Sequence, residues 1–239
     1  MSSLLFYMLI AAAISSAALA IFFRRRWTLL AGLICLLGAG AVLTMWPTPA
    51  ARTARGKRLI DTALPRYQFA ERHQTRICAS PERIAAAIKQ MPADEIRWLG
   101  LLSSLRGLTA GQESDKPVLE TALNASFVLL ADTPLELVMA TAGEFWRYPA
   151  VRLPSLEAAK GDPAAFAALE LEGKPKAAIN FAIEPAPFGC RLVTTETRIF
   201  AADAGMLGQF AAYWRVIQPG SALLRRSWLD AIRRRAEAQ

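Results

Sequence analysis

Two long apolar stretches open the chain. From Leu4 to Phe23, and again from Trp27 to Trp46, no residue is charged, and at about 1.5 Å per residue each stretch measures roughly 30 Å, the hydrocarbon thickness of a bilayer. Only Arg24, Arg25 and Arg26 separate them, so the pattern predicts a hairpin of two transmembrane helices over residues 1–46. Trp27 and Trp46 flank the second stretch as interfacial aromatics do, and Ala11, Ser15, Ala18, Ala31, Cys35 and Gly38 would let the two backbones approach closely. A cleaved signal peptide fits less well, because the Met-Ser-Ser start carries no basic segment. The expected location is therefore the cell inner membrane, crossed twice. An uncharged N-terminal tail leans the globular part toward the periplasm, although the arginines of the loop and Arg52, Arg55, Lys57 and Arg58 beyond the second stretch do not decide the orientation.

Residues 47–65 mix prolines, alanines and basic residues without apolar periodicity, which predicts a linker along the membrane surface. From residue 66 the pattern changes. Phe69, Thr75 and Ile77 alternate with Gln68, Arg72, Gln74 and Arg76, the period of a half-buried strand. Ser80-Pro81-Glu82 is a helix start, with a capping oxygen, a proline whose missing N–H does no harm and an acid facing the dipole. A second helix is predicted from Pro92 to Leu105, closed by Arg106-Gly107 and followed by a polar loop. Strands are predicted at Phe127–Leu130, Leu135–Phe145, Phe166–Leu171, Lys176–Glu184 and Cys190–Ala201. The end of the chain is helical: Met206, Phe210, Tyr213 and Ile217 recur at helical spacing up to Pro219-Gly220, after which Ser221 can cap a second piece carrying Leu224, Trp228 and Ile232.

Composition changes this picture little. The chain has 239 residues, enough after the apolar hairpin for one domain with a sizeable core. Its net charge of +8 raises the question of nucleic acid, yet the basic residues are scattered or sit beside the apolar stretches, and no interleaved aromatic and basic motif occurs. Neither a C-x-x-C nor a cysteine-histidine spacing is present, which argues against a metal site. No G-x-S-x-G elbow accompanies the single histidine, so no hydrolytic triad is legible.

Ile77-Cys78-Ala79-Ser80-Pro81-Glu82-Arg83-Ile84, Thr195-Glu196-Thr197-Arg198, and Tyr213-Trp214-Arg215 with Pro219-Gly220-Ser221 carry a resemblance. These runs, in the order strand, two short helices, antiparallel strands and terminal helix, resemble the START-like or SRPBCC superfamily, in an uncharacterised bacterial branch. The resemblance covers roughly residues 66–239 and implies an α+β helix-grip fold, in which a curved antiparallel sheet wraps a long C-terminal helix and leaves an apolar cavity. It further implies an apolar small-molecule ligand and no cofactor.

In that architecture the first strand pairs antiparallel with the last. Setting Cys78 opposite Cys190 makes paired residue numbers sum to 268, which puts Arg72 against Glu196 on a polar face with Gln68, Gln74, Arg76, Thr194 and Arg198. That face is expected to meet solvent. The other carries Phe69, Thr75, Ile77, Val193 and Ile199 inward, together with Glu71 and His73 opposite Thr197 and Thr195. Cys78 and Cys190 are a candidate disulfide in an oxidising compartment, or two unrelated thiols, and Cys35 is read as packing. Glu71, His73, Thr195 and Thr197 are candidates for orienting the polar end of a ligand, or for satisfying one another as a buried network. Phe210 and Tyr213 are candidate pocket aromatics, or core residues. Arg233-Arg234-Arg235 reads as a solvated or bracing run, or as a contact for anionic lipid. The expected function is membrane-anchored binding, sensing or short-range transfer of an apolar ligand such as a lipid, with the membrane as partner and protein partners open; an enzyme acting on an apolar substrate and a structural partner in a membrane complex are the alternatives.

Overall fold

The computed structural model describes residues 2–23, 26–105, 115–147 and 152–238 of the chain. Two expectations, the Arg24-Arg25 link and the Arg106-Gly107 helix end, lie outside them. The described chain divides into two compact units, residues 1–48 with 207–219, and residues 49–206 with 220–239.

The first unit holds helices α1 (Ser2–Phe23) and α2 (Arg26–Met45). They form a close pair, as the small residues predict. Ala13, Ala39 and Val42 are buried, and a Cβ on Gly32 would lie 3.5 Å from the Ala13 carbonyl and the Ser16 side chain. The transmembrane reading is corrected: among the described residues no helix is long and apolar enough to cross a membrane. The two-span inner-membrane location and its periplasmic lean fall with that correction. Within this unit Arg215, 5% exposed, directs its guanidinium to the end of α2: Nη1 donates to the Leu43 carbonyl at 2.6 Å and Nη2 to that of Trp46 at 2.7 Å. It thus satisfies carbonyls that the helix leaves over.

The second unit is built on a five-stranded antiparallel sheet in the order β3-β7-β6-β5-β4. Its strands are β3 (Phe69–Ile77), β4 (Val128–Asp132), β5 (Glu136–Ala142), β6 (Lys176–Pro185) and β7 (Arg191–Phe200). A small two-stranded sheet pairs β1 (Arg52–Thr53) with β2 (Arg66–Tyr67). The register of β3 on β7 runs from Phe69 opposite Ile199 to Ile77 opposite Arg191, the pairing that sums to 268. Cys78 and Cys190, just beyond that ladder, are joined by a disulfide.

Odd-numbered residues of β3, β5, β6 and β7 share one face of the sheet, called inner here. Against part of it pack α4 (Pro81–Lys89) and the residues from Gly220 onward of α8 (Ala204–Ala238), so that Ile77, Leu137, Phe181, Ile183 and Val193 meet Ile84, Ile88, Trp228, Leu229 and Ile232. Ser80 caps α4, accepting from the Arg83 N–H, as its motif predicts. α8 is one helix with Pro219 in its interior, where the sequence pattern suggests two pieces. The cap predicted at Ser221 is therefore absent, and its hydroxyl bonds elsewhere.

The outer face departs most from expectation. Segment 47–65, expected to be a linker, contributes α3 (Leu59–Ala63), in which Ile60 and Ala63 are fully buried. Together with a 3₁₀ turn at Pro154–Ala159 and α7 (Pro163–Ala168), it covers Val128, Leu130, Val138, Ala140 and Ala178. Of residues 166–171, expected to be a strand, the first three lie in α7 and the last three in no regular element; Asp162 caps α7, accepting from the Ala164 and Ala165 N–H groups, and Pro163 follows as first residue. The helix predicted at 92–105 is interrupted as well. A 3₁₀ turn covers Ala93–Glu95 and α5 covers Leu99–Leu105, with Trp98 between them at φ 72°, a conformation that ends a helix. α6 (Val118–Ala125) completes the unit.

Candidate functional site

The inner face has two ends. At one, the apolar cluster around Trp228 and Phe181, whose rings meet edge to face at 5.0 Å, fills the space between sheet and helix. A cavity lined by Ile88, Leu137, Phe181 and Ile183 measures about 10 Å³, the room of a single water at most. Among the described residues, the side chains of this cluster occupy the stretch between sheet and helix. At the other end Phe69, Met139, Ile179 and Ile199 are buried but belong to neither apolar cluster of the unit.

This second end holds the polar candidates. Strand alternation puts Glu71, His73, Thr195 and Thr197 on the inner face, and the register sets Glu71 against Thr197 and His73 against Thr195. Glu71, 6% exposed, accepts at Oε1 from His73 Nε2 at 2.7 Å and at Oε2 from the Ser221 hydroxyl at 2.7 Å. A carboxylate only accepts, so Nε2 carries the proton on that contact. Both oxygens are engaged. Arg225, one turn beyond Ser221 on α8, faces the same carboxylate; burial pushes its guanidinium down to about 10 against the pull of Glu71. Its Cζ lies 5.6 Å over the Trp228 ring.

Four buried polar atoms on the inner face find no partner: Thr195 Oγ1 and Thr197 Oγ1, on the strand paired with that of Glu71, Arg225 Nη1, and Trp228 Nε1 beside the Arg225 guanidinium. Each such atom costs roughly 1–3 kcal/mol if nothing meets it, and buried polar groups in folded proteins are nearly always paired with protein, water or ligand. Two of the four donate only, and the threonine hydroxyls can donate. The arrangement is therefore suited to an acceptor oxygen.

Of the residues predicted from sequence, Glu71, His73, Thr195 and Thr197 come together, whereas Phe210 and Tyr213 belong to the first unit. There Phe210 is buried, with its ring 5.7 Å from that of Tyr213 and 5.8 Å from that of Trp214. Sequence reasoning misses Ser221, Arg225 and Trp228. Their spacing of four and then three places them on one helix face, so two polar residues in line with Trp228 were the available signal.

The outer face also departs from the solvated reading given to Glu196 and Arg198, which are 5% and 3% exposed. Arg198 donates to Glu196 at 2.6 Å, to Asp61 at 2.7 Å and to the Leu64 carbonyl at 3.5 Å, while Arg58 reaches Glu196 at 2.7 Å. Two effects oppose each other at Arg198: burial disfavours its charge, but its two carboxylate partners hold its pKa above the usual arginine value. Glu136 accepts from the Leu59 N–H at 2.7 Å and Asn180 at 2.6 Å, so it seats the first turn of α3. Thr194 Oγ1 and Arg58 Nη1 are the orphaned atoms of this network. Arg233 and Arg234 pair with Asp230, and Arg235 with Glu95, so the terminal arginines brace the fold.

Among the described residues no group of three or more His, Cys, Asp or Glu side chains is placed to hold a metal ion. No family model and no curated protein matches the chain. Among solved structures, the crystal structure of TTHA0849 from Thermus thermophilus is similar at 12% identity and a TM-score of 0.29, covering 71% of this chain and 98% of that one. Likeness at that level carries no argument about fold or function.

Proposed function

We propose that the second unit binds a small, mostly apolar molecule through a carbonyl or hydroxyl oxygen at the Glu71 end of the inner face. The observation that carries this is that Thr195 and Thr197, paired across the strands with His73 and Glu71, and Arg225, which interacts with Glu71, each keep a buried polar atom without a partner. Met139, Ile179, Phe69 and Ile199 supply the apolar surroundings, and few polar groups in an apolar wall is the usual make-up of a small-molecule site. Arg225 faces Glu71 as its counter-charge, which favours an uncharged polar head over an anion or a cation. The helix-grip resemblance of the sequence leads to the same class of ligand.

Binding is favoured over hydrolysis by the order of the hydrogen bonds. An acyl-transfer triad needs the histidine between nucleophile and acid. Here the Glu71 carboxylate sits between Ser221 and His73, so the Ser221 hydroxyl is bonded to the acid and not to the imidazole. The test is titration of an environment-sensitive naphthyl ketone dye into the wild type and into Thr195→Val/Thr197→Val. The wild type should enhance and blue-shift the emission, with the double variant at least tenfold weaker and equally folded. Equal titrations of the two proteins would remove the proposal.

A further inference from the structure

The sheet has two outer strands, and they differ. β4 spans Val128–Asp132 and is disturbed by a register shift between Leu129 and Ala131, a device that blunts an edge. β3 spans nine residues and pairs only with β7 among the described residues, in unbroken register. Its other edge presents backbone N–H and C=O groups without a strand. Beside it runs an open cleft of about 600 Å³ between Gln74 and Thr75 of β3, Arg97 and Trp98, and one face of α8 from Leu223 to Arg234.

That cleft is long and basic. Leu223 and Arg234 are eleven positions apart, about 16 Å of helix at 1.5 Å per residue, which matches about five residues of extended chain at ~3.3 Å each. Arg97, Arg226 and Arg234 line it against the single carboxylate of Asp230, which Arg234 and Arg233 already engage. Arg97 and Arg226 are exposed and form no ion pair among the described residues; Arg97 rests 4.9 Å from the Trp98 ring centroid. Arg72 and Arg76 project from β3 on the outer side.

From these features we infer that the free edge of β3 accepts an extended acidic peptide segment as an additional strand. Backbone hydrogen bonds to β3 supply the register. Acidic side chains at alternate positions point toward Arg97 and Arg226, because side chains of an added strand alternate between faces. The length of the cleft favours this occupant over a compact anion.

Fluorescence anisotropy with a labelled six-residue peptide alternating Glu and Val tests the inference on the full chain. The wild type should bind it at least tenfold more tightly than a Lys/Val peptide of the same length. Arg97→Glu/Arg226→Glu, at two exposed positions, should lose at least tenfold in affinity while melting as the wild type does. Two further peptides, N-methylated at odd or at even positions, read the backbone: one should lose binding at least tenfold and the other should keep it. Equal binding by both methylated peptides, displacement by inorganic phosphate as effective as by unlabelled peptide, or no preference for acidic sequence would each overturn the inference.

Discussion

The two faces of the sheet handle buried polar groups in opposite ways. On the outer face Arg198, Asp61, Glu196, Arg58, Glu136 and Asn180 close on one another, so that nearly every charged or amide atom has a partner within 3.5 Å. On the inner face Glu71 is satisfied by His73 and Ser221, while the atoms around it are left open. A closed network ties segment 58–64 to the sheet and holds the fold. An open one leaves unmet donors at a standing cost that a ligand or water would relieve, and the proposed site rests on that difference.

The largest test of this contrast is Arg198→Met. It removes the shared cationic partner of the buried Asp61 and Glu196 carboxylates, leaving them only Arg58, and should cost about 3–5 kcal/mol in urea unfolding. A loss under 1 kcal/mol would show that the outer network is not a structural clasp. Next is the disulfide. Cys78→Ser/Cys190→Ser releases a loop of 112 residues and should cost roughly 2–4 kcal/mol; an unchanged melting temperature on reduction would contradict the bond between the ends of β3 and β7. Thr195→Val/Thr197→Val should move the other way. Replacing unpaired buried hydroxyls by methyl groups is expected to leave the ligand-free protein as stable as before, or more stable by about 1 kcal/mol. A loss of 2 kcal/mol or more would mean that these hydroxyls are paired within the fold.

The smallest effect concerns Lys176 on the outer face. Its Nζ donates to the Phe166 carbonyl at 2.9 Å and that of Ala167 at 3.0 Å, while burial lowers its pKa from 10.5. With the folded value depressed, the unfolded chain binds more protons as pH rises toward 10.5, so this residue's contribution to stability should increase there. Wild type minus Lys176→Met should therefore slope upward with pH in that range. A flat difference would show that the ammonium carries no desolvation penalty.

Much of the inner face was legible in the sequence. Period-two alternation in β3, combined with the placement of Cys78 opposite Cys190, yields the observed register and puts Glu71, His73, Thr195 and Thr197 on one side. The outer face was not legible by the same means. Alternation marks Glu196 and Arg198 as polar, but nothing in the pattern of β7 reveals that α3 carries Asp61 over them. That helix is only five residues long and lies among prolines and arginines, too short to show a helical period. The Asp162-Pro163 cap with its alanine run is a better guide to α7 than the apparent strand pattern at 166–171. The apolar hairpin announces itself by its lack of charge. Its helices and their close packing are as expected, but the membrane span is not.

Native mass spectrometry of the purified full chain tests the central claim most directly. A bound small molecule should appear as a discrete mass shift on the wild type and should be missing from Thr195→Val/Thr197→Val, which remains folded with Cys78 and Cys190 bonded. Wild-type and variant spectra that both show only the bare polypeptide, in a protein that also ignores the ketone dye, would contradict a ligand site at the Glu71 end of the sheet.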